Sequence, residues 1–429
     1  MKSRNGRVPK SLIIGAAVAA FVVAVVAMWW QDAPPIEDDY TLGDLRSAPP
    51  DCNGSYQLLL SIARQDRDSN EAPEIGLTTE DMNDLRELSG NSCDGNDIND
   101  SVALANAATI DRIWHHAEKG RKVFEKLDVF PEIADLTEPN FLQFPVNYHS
   151  NMRCIALVYN LKTRLLLAQG DYVRAIENSA LINSVFRKYS LNARTLINKV
   201  VAAAGLAISI KLANDIANRS DVSLDSIELL AEEFQPLSPE VTSMRNPVIG
   251  EYLGFRWYIL NGTELKGARG SPFCKVNSTL RLYRNSLVDA LAKFEPENEY
   301  KDPNLRVCSF VWGGNIHLKL DDEIHWPRRY WLYNPMGSLF ITIGLPATRC
   351  TCESSTKPHI QDDLLQFVLN KRLDRPANLK ARAYSDEYIV DVDKRIIFSP
   401  GPDGVNYTDD DIKLKINPEV LNLTSTTQE

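Results

Sequence analysis

Four carboxylates fall within nine residues near the end of the chain: Asp403, Asp409, Asp410 and Asp411, in the stretch IIFSPGPDGVNYTDDDIKL at 396–414. On a loop carrying Gly401 and Gly404 they repel one another unless a cation or separation relieves them. A hard divalent ion takes six to eight oxygens from carboxylates, carbonyls and water, and calcium tolerates irregular geometry. The side chains it would draw on are Ser399, Asp403, Asp409, Asp410 and Asp411, and its role would be to pin a terminal hairpin. The alternative is a solvated acidic turn. A second group is aromatic and cationic: Trp312, His325, Trp326, Arg328, Arg329 and Trp331, with Tyr330 and Tyr333. Rings stack on apolar sugar faces and guanidinium groups clamp carboxylates, so this set would suit a sugar or peptide cleft. Asp321, Asp322 and Glu323 bring acids that glycoside hydrolysis needs in pairs. The plainer reading is an aromatic core beside a solvated acidic tip.

Phe398, Ser399, Gly401, Asp403 and Gly404, followed by Asp410, Asp411 and Ile412, resemble the calcium loop near the end of the major pseudopilins of type II secretion. The resemblance implies a structural calcium ion and, by analogy, an accessory place in a secretion or pilus-like machine. Pro400 and Pro402 depart from that pattern, and no prepilin cleavage site precedes the apolar segment, so the chain is not itself read as a pseudopilin. A similar ending occurs in uncharacterised membrane-anchored helical proteins of bacteria. The order of helical body, late amphipathic helix and this loop looks like that group.

Seven cysteines stand at 52, 93, 154, 274, 308, 350 and 352. In an oxidising compartment exposed pairs should bridge. Cys52 and Cys93 are plausible mates, and Cys274, Cys308, Cys350 and Cys352 allow three connectivities. Cys154 shares a helical face with Val158, Leu161 and Leu165 and reads as a buried thiol. With no CxxC pair, a four-cysteine zinc site is disfavoured. His115 and His116 are adjacent, so on a helix they point about 100° apart and read as a solvated pair. No Walker loop, GxSxG elbow or strand-linked GxGxxG occurs.

The elements that must position these residues begin with an apolar run. Residues 11–30, SLIIGAAVAAFVVAVVAMWW, contain no charge, and twenty residues span roughly 30 Å as a helix. Lys2, Arg4, Arg7 and Lys10 precede it, while Trp29 and Trp30 close it. These flanks place residues 1–10 as a cytoplasmic tail, 11–30 as a transmembrane helix, and the rest outside. A signal peptide cleaved after Ala27 is the alternative. Residues 31–52, acidic and Pro-rich, read as an extended linker. Residues 53–297 carry helical periodicity: a stripe over 105–127, a second over 151–169 ended by Gly170-Asp171, then Tyr172 to about Tyr189, Asn192 to Ala217, and a helix capped by Ser223. Residues 165–182 resemble part of a tetratricopeptide unit, with Gly170, Tyr172 and Ala175 at its turn and packing positions. That resemblance covers less than one repeat and no 34-residue recurrence accompanies it. Residues 298–429 read as a mixed region: an irregular sheet or packed loop over 306–344, a helix at 359–373 just after Pro358, and a β-hairpin with the acidic loop at 387–414.

The expected fold is therefore mainly α: stacked antiparallel helical hairpins, tetratricopeptide-like, after one N-terminal transmembrane helix, with a small β-containing C-terminal part. The 429 residues carry a net charge of −10, and −14 once the four leading cations are set aside. That balance argues against nucleic acid as a partner. The expected function is a membrane-anchored periplasmic scaffold or interaction module, non-enzymatic, on a bacterial inner membrane, contacting another envelope protein. The rivals are an envelope-polymer hydrolase working through residues 312–333 and the secretion accessory.

Overall fold

A computed structural model describes Val23 and residues 31–63, 71–89, 98–142, 148–263, 265–266, 274–294, 334–381, 384–401 and 404–423. The chain is mainly helical, with one small antiparallel sheet. In chain order the helices are α1 (Asn53–Ser61), α2 (Thr79–Ser89), α3 (Asp100–Ala105), α4 (Ala107–His116), α5 (Glu118–Asp128), α6 (His149–Gln169), α7 (Tyr172–Leu191), α8 (Leu196–Ala217), α9 (Leu224–Glu233), α10 (Pro239–Thr242), α11 (Arg245–Asn261), α12 (Val276–Phe294) and α13 (Pro335–Arg372). Strands β1 (Ile389–Asp391), β2 (Ile396–Ser399) and β3 (Ile412–Lys415) pair antiparallel in sequence order, with Ile389 opposite Phe398 and Ser399 opposite Ile412.

Helix ends follow local chemistry. Gly170 stops α6 with φ +79°, and Asp171 caps α7 by accepting from the Arg174 amide at 3.3 Å. Thr195 and Ser223 cap α8 and α9 in the same way. α7 and α8 run antiparallel: Asn183 bonds Ser209 at 3.1 Å, and Lys199 reaches back to Ser190. They approach so closely that a side chain on Gly205 would meet the Phe186 ring at 2.2 Å. α8 is apolar over most of its length and is the one helix among the described residues long and apolar enough to cross a membrane. Its apolar stretch is 72% buried among α6, α7 and α13, which makes it the central helix of the core.

Three expectations need correction. The stripe at 105–127 starts at the last residue of α3 and is broken at Asn106 and at Ala117; Arg121 lies over the Trp114 ring and donates to the Trp114 carbonyl at 3.0 Å, which the second break leaves open. The helix expected at 359–373 begins at Pro335, so 335–344 is helical rather than sheet or loop. Pro358 removes one amide and disfavours helix at the residue before it. Packing against α8 and α12 carries α13 through that local cost. Residues 31–46, expected as a linker, are extended but lie as a strap along α11 and α12. Leu45 packs with Val248, Tyr252 and Leu287, and Ile36 packs with Ile259 and Leu280. Residues 11–30, apart from Val23, lie outside the described residues.

Candidate functional site

β2 leads into the acidic loop and β3 leaves it. Ser399 is fully buried, with its hydroxyl donating to the Pro400 carbonyl at 3.1 Å. Gly404, at φ +68°, donates to the Gly401 carbonyl at 2.9 Å and closes a turn. A side chain on Gly401 would fall 2.4 Å from both the carbonyl and Oδ2 of Asp410, so this glycine keeps a cradle beside two oxygens. Thr408 donates to Asp410 Oδ1 at 2.6 Å and stands 3.4 Å from Asp411 Oδ1, so two carboxylates converge on one hydroxyl. Asp411 is buried, and Asp409 is exposed. Asp403 lies outside the described residues. Among the described residues no three acids, histidines or cysteines gather as a metal-binding group. The cradle and the convergent pair fit an oxygen-seeking cation, with carbonyls and water left to supply the remaining ligands.

The other expected groups separate. Trp312, His325, Trp326, Arg328, Arg329 and Trp331 lie outside the described residues, as do Cys93 and Cys308. Cys350 and Cys352 are both on α13. Cys52 is a fully buried free thiol and Cys274 is buried. No disulfide joins Cys52, Cys154 or Cys274. His115 and His116 are exposed at the end of α4, yet His116 is not merely solvated. Its Nδ1 stands 2.9 Å from Oδ2 of Asp81, a buried carboxylate that also pairs with Arg112.

A cleft of about 480 Å³ opens where α3, α6, the end of α8 and β3 meet. Arg164 of α6, held at 2.9 Å by Asp215 of α8, forms one wall. Arg219 forms another: it grips both oxygens of Asp100 at 2.9 and 3.1 Å and the carboxylate of Asp221 at 3.2 and 3.3 Å. Tyr172 donates to Asp221 as well, and the Arg219 guanidinium lies over the Tyr172 ring. The bonds from Arg219, then Tyr172, hold the Asp221 carboxyl below its usual range. Burial opposes the Arg219 charge, but Asp221 and Asp100 more than offset it and raise its pKa. Ser101 and Lys415 add polar groups to the lining, and Ile98 and Leu167 add apolar ones. The arrangement fixes alternating charges at a surface, which recognises charged groups by position. Sequence periodicity could not expose it, because its residues come from four separate segments and each looks like an ordinary surface charge.

One pair resembles a nucleophile and base. Lys199 Nζ lies 2.9 Å from Ser190 Oγ, but both side chains are buried and both donate to the Val241 carbonyl at 2.6 Å. They bolt α10 to α7 and α8. A third cluster is sealed likewise: Asp135 accepts from the Thr137 and Arg194 amides and from Asn198 beneath Tyr148. Burial raises the Tyr148 and Tyr189 hydroxyls well above their usual pKa, so both act as neutral donors or acceptors.

Compared with known protein families, with curated proteins and with solved structures, the chain matches none.

Proposed function

We propose that this chain is a membrane-anchored, extracytoplasmic interaction module, non-enzymatic, held in a bacterial inner membrane by residues 11–30 with residues 1–10 in the cytoplasm. The observation that carries the reading is the cleft, where Arg164–Asp215 and Arg219–Asp100 hold opposite charges in fixed register at the surface. Such a surface orients a partner's charged side chains without making or breaking bonds. The partner is another envelope protein. The α6–α7 hairpin, closed by Gly170 with Ala175 buried at its packing position, supports reading the body as tetratricopeptide-like.

The test is a photo-crosslinking residue at Ser101, on the cleft wall, in the full chain expressed in membranes. A discrete adduct lost on Arg219→Glu, with the chain still folded, is the expected result. Adducts indifferent to that reversal end the reading. Membrane fractionation and protease accessibility from the outer face check the topology separately. Calcium is proposed as a structural ion of the terminal loop, supported by the Gly401 cradle and by the convergence of Asp410 and Asp411 on Thr408.

A further inference from the structure

The strap begins at the first residue after the apolar run, and it is bonded to the body from that residue onward. The Gln31 carbonyl accepts from the buried Lys275 ammonium at 2.8 Å. Asp32 caps α12: its carboxylate accepts from the Asn277 amide at 2.8 Å and from the Ser278 amide and hydroxyl at 3.0 and 2.8 Å. Asn277 returns a bond to the Ala33 carbonyl at 2.9 Å. Arg281 and Arg284 then donate to the Pro34 and Asp38 carbonyls, and Asp39 is gripped by Tyr252 and Arg256. Residue 31, where the description resumes after the apolar run, is thus already fastened to the first turn of α12, and one residue spans at most about 3.6 Å.

Two more helix ends meet there. α11 finishes at Asn261 near the strap's Ile36, and Asn334, which opens α13, bonds to the Lys275 backbone and to Thr279 at 2.7 Å. The other end of α13 is Arg372, which donates to the Arg219 and Val222 carbonyls beside the charged cleft. α13 has 38 residues, roughly 57 Å of helix rise.

We propose that the end formed by Asn261, the first turn of α12 and Asn334 rests on the phospholipid headgroups, and that the body stands as a fixed post with its charged cleft facing away from the membrane. The inference rests on reading residues 11–30 as the anchor, and it adds an orientation to that reading. The reach of the cleft is then set by α13, not by a flexible stalk. A partner meets it well clear of the lipid surface.

The experiment uses the full chain in phosphatidylglycerol–phosphatidylcholine vesicles carrying a headgroup energy acceptor. A fluorescent non-natural amino acid replaces Thr263, exposed just past α11, or Val173, exposed beside Tyr172 at the cleft end. Energy transfer should be several-fold greater from position 263. A Gly-Ser insertion between residues 30 and 31 should sharply reduce transfer from 263 by restoring slack. If the chain floats with the vesicles but the two positions transfer alike, the anchor stands and the orientation falls. If transfer from 263 ignores the insertion, the orientation falls too. If the chain does not float, both fall together.

Discussion

Asp362 on α13 lies 3.8 Å from Arg187 on α7, buried with its Oδ1 accepting no hydrogen bond of normal geometry, while its Oδ2 accepts from the Leu237 amide at 2.7 Å. Burial pushes its carboxyl up to about 7, against the opposing pull of Leu237 and Arg187. Glu251, which accepts from the Leu196 amide at the start of α8, is pushed by burial to about 7 as well. An acid whose folded pKa exceeds its unfolded value of about 4 binds more protons when folded. Its stabilising contribution is complete below that value and disappears as pH rises through 7. Chemical denaturation should therefore show stability declining between about pH 4 and 7, by on the order of 4 kcal/mol for Asp362. Asp362→Asn should flatten most of that slope, and Glu251→Gln should remove a further part. A slope unchanged in both variants would mean that neither group is protonated in the folded state.

Asp81 produces the opposite slope in a lower pH window. It caps its own helix with Thr78, each residue bonding the other's backbone amide, and it receives Arg112 Nε at 3.2 Å and His116. Burial raises its carboxyl, but the bonds from His116 and Thr78 more than offset this and hold it below the usual range. Its contribution is present above about pH 4 and is lost as pH falls through the depressed value. Asp81→Ala should cost about 2–3 kcal/mol in urea unfolding at pH 7, because it strips a buried acceptor from Thr78, Arg112 and His116. Asp84→Ala removes a more exposed partner of Arg112 and should cost under about 1 kcal/mol. Equal costs would show that Arg112, rather than the cap, carries the stabilisation.

These helix caps were legible in the sequence where a single residue sets the conformation. Gly170-Asp171 and Ser223 act through their own φ or hydroxyl, and they fall where the periodicity changes. Proline at 358 misleads because its cost is local, a few kcal/mol, while the gain that outweighs it is the burial of Ile360, Leu364, Leu365 and Val368. The break at Ala117 carries no local sequence signal, and beside it α5 packs closely, since a side chain on Gly120 would fall 2.9 Å from Ile75 and 3.0 Å from Ile155. The strap was readable as extended, but its bonds run to residues more than 200 positions away. The acidic loop was found because its oxygens are neighbours in sequence, and the cleft was missed because its charges are not.

The calcium proposal has a direct thermal test. A ligand that binds the folded state alone stabilises it by about 2.7 kcal/mol at a hundred times its Kd. Millimolar calcium should raise the melting temperature of the full chain above its value in chelator, and Asp411→Asn should abolish the difference. Gly401→Ala, which drives a methyl group into the Asp410 oxygens, should do the same. Identical melting curves with calcium and with chelator would leave the loop held by its own hydrogen bonds, those of Thr408, Gly404 and Tyr407.

Asp39 supplies a test of the strap that needs no membrane. It accepts from the Tyr252 hydroxyl at 2.9 Å and lies 3.1 Å from Arg256. Burial, then the Asp39 carboxylate, pushes the Tyr252 hydroxyl far above its usual pKa against the pull of Arg256. Asp39→Ala leaves the buried Tyr252 phenol without its acceptor and the Arg256 guanidinium with only the Tyr40 carbonyl, a loss of about 1–3 kcal/mol. Limited proteolysis should then cut within residues 31–46 before the rest of the body. First cuts elsewhere would show that the strap stays docked without this carboxylate.

Two glycines should rank against their backbone angles. Gly170 sits at φ +79°, where alanine costs about 1–2 kcal/mol, but nothing lies within 4 Å of the added methyl group. Gly250 has no such angle, yet a side chain there would fall 1.7 Å from the Arg194 carbonyl oxygen. Backbone on both sides must separate to admit it. That movement would strain the neighbouring bond from the Leu196 amide to Glu251 and the strap-side packing of Leu253. Overpacking of this kind costs about 1–3 kcal/mol before the hydrogen bond is counted. Urea unfolding should therefore place Gly250→Ala below Gly170→Ala in stability. The reverse ranking would mean that α11 can shift on the turn at 192–195 without loss.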